Sequence, residues 1–413
     1  MNTTETVSEF TEFFRSRGHR LLEGGTLVPQ PGDPVLFTSA GMHPLTPFLA
    51  GEPHPLGRRL TGIQRCLRTT DLEEVGDTTH LTVFQMLGSW SLGDYDGRQS
   101  LCWGMELICD HFGLKPELLH ATVFGGDDLL GPDTEALETW GELGLPVELL
   151  SGGEPGTGEN WWSNGPTGPC GPDSEIFVWT GDGPPSGRPS TDPRWMELWN
   201  HVTMRYYRHP DGSLAPLPQQ VVDTGMGLER LLMVSQRVGS VFDTDLFTPW
   251  LTALTGMWRP GQRALRILSD HLRSSIVVIA DGVRPSNTGR GYVLRRLVRR
   301  SLTELWSGSG GDRRGLRSDG DNTLTLGDLP PDLVTDTGER FGVAVQESQV
   351  RDVLLSEERK FRDLVRRGRT LLTRLYPSGQ LTDGDYEFLR ETHGLPRELV
   401  TVLVTGWPDS PAG

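Results

Sequence analysis

Asp223, Gly225, Gly227 and Arg230 bring a carboxylate, two bare backbone positions and a guanidinium together in the string V-D-T-G-M-G-L-E-R, 222–230. Glycines two apart remove the Cβ atoms that would keep a ligand off the backbone, and they permit a positive φ. Something flat or charged can then approach closely. An arginine in the first turn of a following helix offers a planar, permanently charged fork for phosphate oxygens. Asp223, on the strand side, is placed to hold an ammonium group. The elements that must position these groups are short. The run L-P-Q-Q-V, 217–221, reads as extended, and L-L-M-V-S-Q-R-V, 231–238, has apolar spacing that suits a helix. The pattern predicts a strand, a glycine turn, then a helix. In a chain with 52 glycines a G-x-G string also fits an ordinary turn, so the fragment alone leaves both readings open.

A second chemical signal lies at 290–300, R-G-Y-V-L-R-R-L-V-R-R, which holds five arginines and no acid. Val293, Leu294, Leu297 and Val298 fall at helical core spacing, so one face is expected to be buried and the other basic. Such a face is either solvated or suited to a phosphate backbone. The net charge of −16 argues against a protein that coats nucleic acid indiscriminately, which makes this local basic run the more informative feature.

A chain of 413 residues has room for two or three domains. No apolar run approaches the length of a membrane span, and residues 1–12 are polar and acidic, which leads to the expectation of a cytoplasmic protein. Cys66, Cys102, Cys109 and Cys170 form no C-x-x-C pair and the histidines no H-x-x-x-H, so no protein-borne metal site is expected.

The string G-M-G-L-E-R resembles motif 3 of the class II aminoacyl-tRNA synthetases, and the longer V-D-T-G-M-G-L-E-R resembles its form in alanyl-tRNA synthetases. Further segments are similar in the same order: L-F-T-S-A-G-M at 36–42, Q-R-C-L-R at 64–68, M-L-G-S-W-S-L-G-D-Y at 86–95, T-G-P-C-G-P at 167–172, L-W-N at 198–200 and I-A-D-G-V-R-P-S-N at 279–287. The resemblance covers roughly residues 8–400. It implies an α+β fold, an antiparallel catalytic sheet flanked by helices over 1–245, then a helical domain for tRNA recognition over 246–413. It also implies ATP with Mg2+ as cofactors, alanine and tRNA, by family tRNA-Ala, as partners, and a monomer.

Residue by residue, the resemblance gives Arg68 and Arg230 the catalytic contacts. Arg68 would meet the α-phosphate, where a cation held in a sheet stabilises developing charge without reorganisation. Phe84 would stack on adenine, and Met86 and Gly227 would complete the ATP site. Trp162 would wall an alanine pocket shared with Val202, Asp223 and Gly225, while the Asn200 amide would hold the substrate carboxylate or carbonyl. Asn287, with Arg295, Arg296, Arg299 and Arg300, would meet tRNA. The chain departs from the family pattern in several places. Only Thr69 and Thr70 separate Arg68 from Asp71, where relatives have a longer loop bearing a lysine. Gln85 replaces a Glu, Pro166 an Asp, Asp173 a Cys, Gly289 an Asn and Glu391 an Asp. Thr203 and Arg205 also differ, which suggests an altered pocket lining.

The coarse reading along the chain expects a helix over 7–17, strands over 36–38, 63–69 and 82–87, and a rigid Pro/Gly loop over 160–172. It adds a surface loop over 181–193, a polar linker over 308–321 and a long helix over 353–375. The function expected is alanine activation to alanyl-adenylate and transfer to tRNA, without the editing or C-terminal domains of the family and so without editing. The alternative is an amino-acid-activating enzyme that passes the acyl group to a carrier protein or small molecule.

Overall fold

The first helix starts on a capping box: the Asn2 side chain accepts from the Glu5 N–H, and the Glu5 carboxylate accepts from the Asn2 N–H. It runs Thr3–Ser16, earlier than the apolar spacing alone suggested, buries Phe10, Phe13 and Phe14, and stops before Gly18 at φ +83°. The computed structural model describes residues 1–30, 35–151, 159–163, 165–307 and 324–404. The linker expected at 308–321 lies outside the described residues.

Two compact units are present, one of Met1–Arg68 and Val83–Leu246, the other of Thr69–Thr82 and Phe247–Gly413. The domain bounds implied by the resemblance, 1–245, place 69–82 in the first domain. In the structure this segment packs with the second unit.

The first unit is built on one mixed, mainly antiparallel sheet. Its strands are β1 (Arg20–Leu22), β2 (Arg59–Leu67), β3 (Val83–Leu92), β4 (Leu119–Phe124), β5 (Val147–Leu150), β6 (Trp161–Ser163), β7 (Gly168–Trp179), β8 (Trp195–Arg208) and β9 (Leu214–Gly227). The spatial order is β1-β2-β3-β9-β8-β7-β4-β5, with β6 paired to β7. Among the described residues, only β1/β2 and β4/β5 are parallel pairs. The 14-residue β8 carries strand-favouring aromatic and β-branched residues, Trp195, Trp199, Val202, Thr203, Tyr206 and Tyr207.

Three expectations fail locally. Residues 36–38 bend and form no strand, although Thr38 lends its carbonyl to the Leu67 N–H at 2.8 Å. The Pro/Gly stretch expected as a loop is a hairpin: Trp162 pairs with Gly171 and Ser163 with Cys170. The glycine turn before Arg230 does not exist, because β9 runs straight through Gly225 and Gly227 into the helix Leu228–Ser235, with Gly227 at φ −67°. Gly225 acts through clearance, since a Cβ on it would lie 2.8 Å from the Met86 sulfur.

The second unit is helical. The helix Gln262–Ala280 is buried over most of its length, and its Arg273 guanidinium lies 4.3 Å from the Phe247 ring centroid and 5.0 Å from that of Phe341. The segment Thr69–Thr82 is held by this helix and by Gly289–Ser307. Asp270 accepts the Thr82 N–H at 2.9 Å, Arg266 donates to the Asp77 carbonyl at 3.0 Å, and Arg300 donates to the carbonyls of Leu72 and, at 3.2 Å, Val75.

The basic face expected to meet phosphate is therefore largely committed inside this unit. Arg296 pairs with Glu73, and Arg295 and Arg299 converge on Glu357 Oε1 at 3.1 and 2.8 Å. Arg295 also donates to the exposed Asn287. Burial of Arg299 and Arg300 lowers their pKa values, against the pull of the neighbouring carboxylates. Because Glu357 is fully buried, Glu357→Ala is expected to strand two guanidiniums that keep only partial access to water. The discounted cost is about 2 kcal/mol, read as a lower denaturant midpoint with an unchanged slope; an unmoved midpoint would show the pairs contribute nothing.

Candidate active site

Cross-strand register assembles the site. Directly paired residues of an antiparallel sheet share a face, and one row runs Gly62–Gly88–Gly225–Asn200–Glu175 across β2, β3, β9, β8 and β7. The adjacent row runs Trp90–Asp223–Val202–Asp173. Alternation adds Met86, paired with Gly227, and Phe84, paired with Cys66. The expected nucleotide and amino-acid residues Phe84, Met86, Asn200, Val202, Asp223, Gly225 and Gly227 thus stand on one face. Arg68 follows directly on β2; its Nε donates to the Ser39 carbonyl at 3.3 Å and its guanidinium sits 5.3 Å from the Phe84 ring centroid. Trp162 packs on the apolar cluster that contains Met86, Trp90 and Val202. Arg230 lies beside Gly227, whose absent Cβ would be 3.8 Å from the Arg230 side chain. It now pairs with Glu197, at 3.0 Å to the carboxylate and 2.9 Å to the carbonyl.

The buried floor of this face is Asp223, 6% exposed. Its Oδ1 accepts the Trp90 indole N–H at 2.6 Å, and burial pushes its carboxyl up to about 7 in spite of that bond. The Trp90 ring folds back over the glycine row, so a Cβ on Gly88 would lie 2.3 Å from it. Gly88 is thus required for the tryptophan to reach Asp223. Trp90→Phe keeps a ring there and removes the donor. The expected result is a KM for the amino acid about five- to tenfold higher at pH 7, from a lost bond to a charged group, and a smaller effect at pH 8.5. Equal KM values at pH 7 would remove Trp90 from the site.

Several residues on this face were not singled out as site residues from sequence. Trp90 lay inside a recognised string, and its period-2 relation to Met86 and Gly88 would have found it. Asp173 and Glu175 were missed because 160–172 was read as a loop, which hid the alternation along β7, and Glu197 because a register shift in the β7–β8 pairing beside it breaks the alternation there. Burial raises the Asp173 and Glu175 carboxyls, and the Glu197 charge raises them further. Asp173 Oδ1 accepts the Asn160 amide at 2.9 Å and Oδ2 the Asn200 amide at 3.4 Å. The Asn200 NH2, expected to meet a substrate carboxylate, is therefore turned to Asp173, because a carboxylate can only accept.

Thr203 and Arg205 do not line this face. Thr203 pairs with Val222 on the opposite side, and Arg205 is bound there by Glu135 at 2.8 Å and Asp133 at 3.3 Å. That side also holds His201, bonded to Ser100 at 2.9 Å and driven down to about 3 by burial.

Among the described residues no group of three metal-ligating side chains occurs, and no helix is long and apolar enough to cross a membrane.

Comparison with known proteins places this arrangement. A model of the tRNA synthetases class II (A) family matches residues 5–406. The chain is 38% identical over 426 residues to an alanine–tRNA ligase of Treponema pallidum (strain Nichols), covering 96% of this chain and 67% of that protein. It is also 38% identical over 425 residues to an alanine–tRNA ligase of Rubrobacter xylanophilus (strain DSM 9941 / JCM 11954 / NBRC 16129 / PRD-1), covering 97% of this chain and 46% of that one. The chain thus spans between about half and two thirds of the length of these relatives. Among solved structures, the apo histidyl-tRNA synthetase of S. aureus is similar at TM-score 0.35 and 13% identity, over 62% of this chain and 75% of that one. With the family model matching residues 5–406, nearly the whole chain, and the motif residues gathered on one face of a mainly antiparallel sheet, the chain belongs to the class II tRNA synthetases.

Proposed function

We propose that the chain activates alanine with ATP, forming alanyl-adenylate and pyrophosphate, and transfers the alanyl group to the 3′ end of tRNA. The observation that carries this is the shared face. Arg68, Phe84 and Arg230, which suit a nucleotide, lie on the same surface as Asp223, which suits an ammonium. The alanine carboxylate attacks the α-phosphorus and pyrophosphate leaves. Arg68 stabilises the charge that builds on the phosphoryl oxygens, Phe84 stacks on the base, and Asp223 fixes the alanine ammonium. Arg230 exchanges Glu197 for phosphate oxygens when the nucleotide enters.

Mg2+ fits as the cation carried by the nucleotide, because the described residues offer scattered carboxylates and no cage of their own. Glu197, half-buried beside Arg230, would be the side chain to hold it. The metal would neutralise phosphate charge; positioning is left to the arginines. In the helical unit Asn287 is exposed, while Arg295, Arg296, Arg299 and Arg300 meet tRNA only with the parts of their side chains that internal pairing leaves accessible. The same reading has the chain act as a monomer in the cytoplasm.

ATP–pyrophosphate exchange with a panel of amino acids, with and without tRNA, tests the proposal. Exchange should be strongest with alanine and should not require tRNA, and alanylated tRNA should form when tRNA is added. Exchange with no amino acid in the panel would overturn it.

A further inference from the structure

Both asparagines that touch Asp173 give it their NH2 group, and both are left with a bare carbonyl. Asn160 Nδ2 donates at 2.9 Å and Asn200 Nδ2 at 3.4 Å, while Oδ1 of each is buried with no hydrogen-bond partner among the described residues. Native structures rarely leave such atoms unmatched. The Asn160 amide is pinned a second time, by donation to Thr122 Oγ1 at 3.0 Å, so its orientation is fixed twice over. That of Asn200 is fixed by Asp173 alone. An asparagine amide turned by half a revolution has nearly the same shape with donor and acceptor exchanged, and only its neighbours decide between the two.

The position of Asn200 gives the choice a consequence. Asn200 pairs with Gly225, and Val202, two residues on, pairs with Asp223. Asn200 and Asp223 are therefore diagonal neighbours on one face, close enough for their side chains to meet one small group. An ammonium has three donors and no acceptor, and Asp223 with one oxygen given to Trp90 cannot satisfy all of them. A carbonyl oxygen beside it supplies what is missing, whereas an NH2 in the same place would oppose the cation.

We propose that Asp173 is a positioning residue of the amino-acid site, holding the Asn200 amide so that its carbonyl oxygen meets the ammonium of the amino acid bound at Asp223. Asp173 is 4% exposed and no cation pairs with it among the described residues, so its carboxyl oxygens are occupied by the two asparagines. The inference rests on the reading that Asp223 receives the ammonium, and it adds a residue that touches no substrate atom.

The test is a cycle of Asp173→Asn, Asn200→Ala and the double variant, each assayed by ATP–pyrophosphate exchange with alanine. Asparagine at 173 has the shape of aspartate but carries its own NH2, so it no longer dictates which way Asn200 turns. The KM for alanine should rise about tenfold in Asp173→Asn, the scale of one hydrogen bond to a charged group, with the KM for ATP within about twofold. The double variant should be no worse than Asn200→Ala, because Asp173 acts only through that amide. An unchanged KM for alanine, equal rises in both KM values, or simple additivity in the double variant would each overturn the proposal. Should Asp173→Asn not fold, as judged by its melting curve, the smaller Asp173→Ser carries the same expectations. Wild-type protein without any exchange would instead remove the underlying reading, so the two failures are distinguishable.

Discussion

Asp223→Asn is expected to abolish measurable activation of alanine while ATP binds as before. Aspartate and asparagine have the same shape, so the Trp90 bond and the packing can persist. What changes is the charge opposite an ammonium in a buried site, where a charge-assisted bond contributes roughly 1.5–3 kcal/mol and an amide NH2 turned toward the cation adds repulsion. A loss of about a hundredfold or more in kcat/KM for alanine follows. Nucleotide affinity, measured directly, should move little, because Asp223 is separated from Phe84 by three register positions. Wild-type exchange in this variant would remove Asp223 from the ammonium site.

The same residue sets a pH dependence. Its carboxyl is raised to about 7, so the free protein holds it protonated at lower pH, where it cannot pair with an ammonium. As pH falls below about 7, kcat/KM for alanine should therefore drop, by about tenfold per unit for a single group. Above 7 it should level off. Asp173, raised into the same range, steepens the acid limb if both must ionise. A bound ammonium favours the carboxylate, so the limb for kcat should lie at lower pH than that for kcat/KM. A kcat/KM profile flat from pH 5.5 to 8 would contradict the burial of Asp223 as its controlling feature.

Arg68→Ala is expected to cost about 10²–10³ in kcat, the usual loss when one preorganised donor to a developing oxyanion is removed. Its present partners are modest: one carbonyl at 3.3 Å and the face of Phe84. The fold should therefore tolerate the change, and the melting temperature should shift by only a degree or two. Arg68→Lys restores charge without the fork and should recover part of the rate. If Arg68→Ala lowered the melting temperature steeply and left kcat intact, the residue would be a strut and not a phosphate ligand.

Much of the candidate site was legible because the residue types that could carry its chemistry stand close in sequence. Asp223, Gly225, Gly227 and Arg230 stand within one short string, and Arg68 and Phe84 flank one connection between strands. What sequence could not show is register. Asp173 and Glu175 reach the site only because β7 pairs with β8 in a particular alignment, and Trp90 reaches Asp223 only because Gly88 leaves it room. The missing glycine turn was misjudged for a different reason: i and i+2 glycines look alike whether they bend a chain or clear space above it. The ion pairs of the arginine run at 290–300 were not legible because their acids are distant in sequence. Glu357 lies on another helix, and Glu73 belongs to a segment far upstream.

That upstream segment limits how the protein can be divided. The chain passes from the sheet-bearing unit into the helical one after Arg68, returns at Val83, and leaves again after Leu246. A single cut at 246 would not release an intact half. It would leave Leu72 and Val75, both buried, without their cover, and the carbonyls of Leu72, Val75 and Asp77 without Arg300 and Arg266. The strand ends that carry Arg68 and Phe84 are tethered to that orphaned stretch. Gene dissection at the apparent boundary should therefore yield a sticky, poorly soluble piece, and the two halves have to be made as one chain.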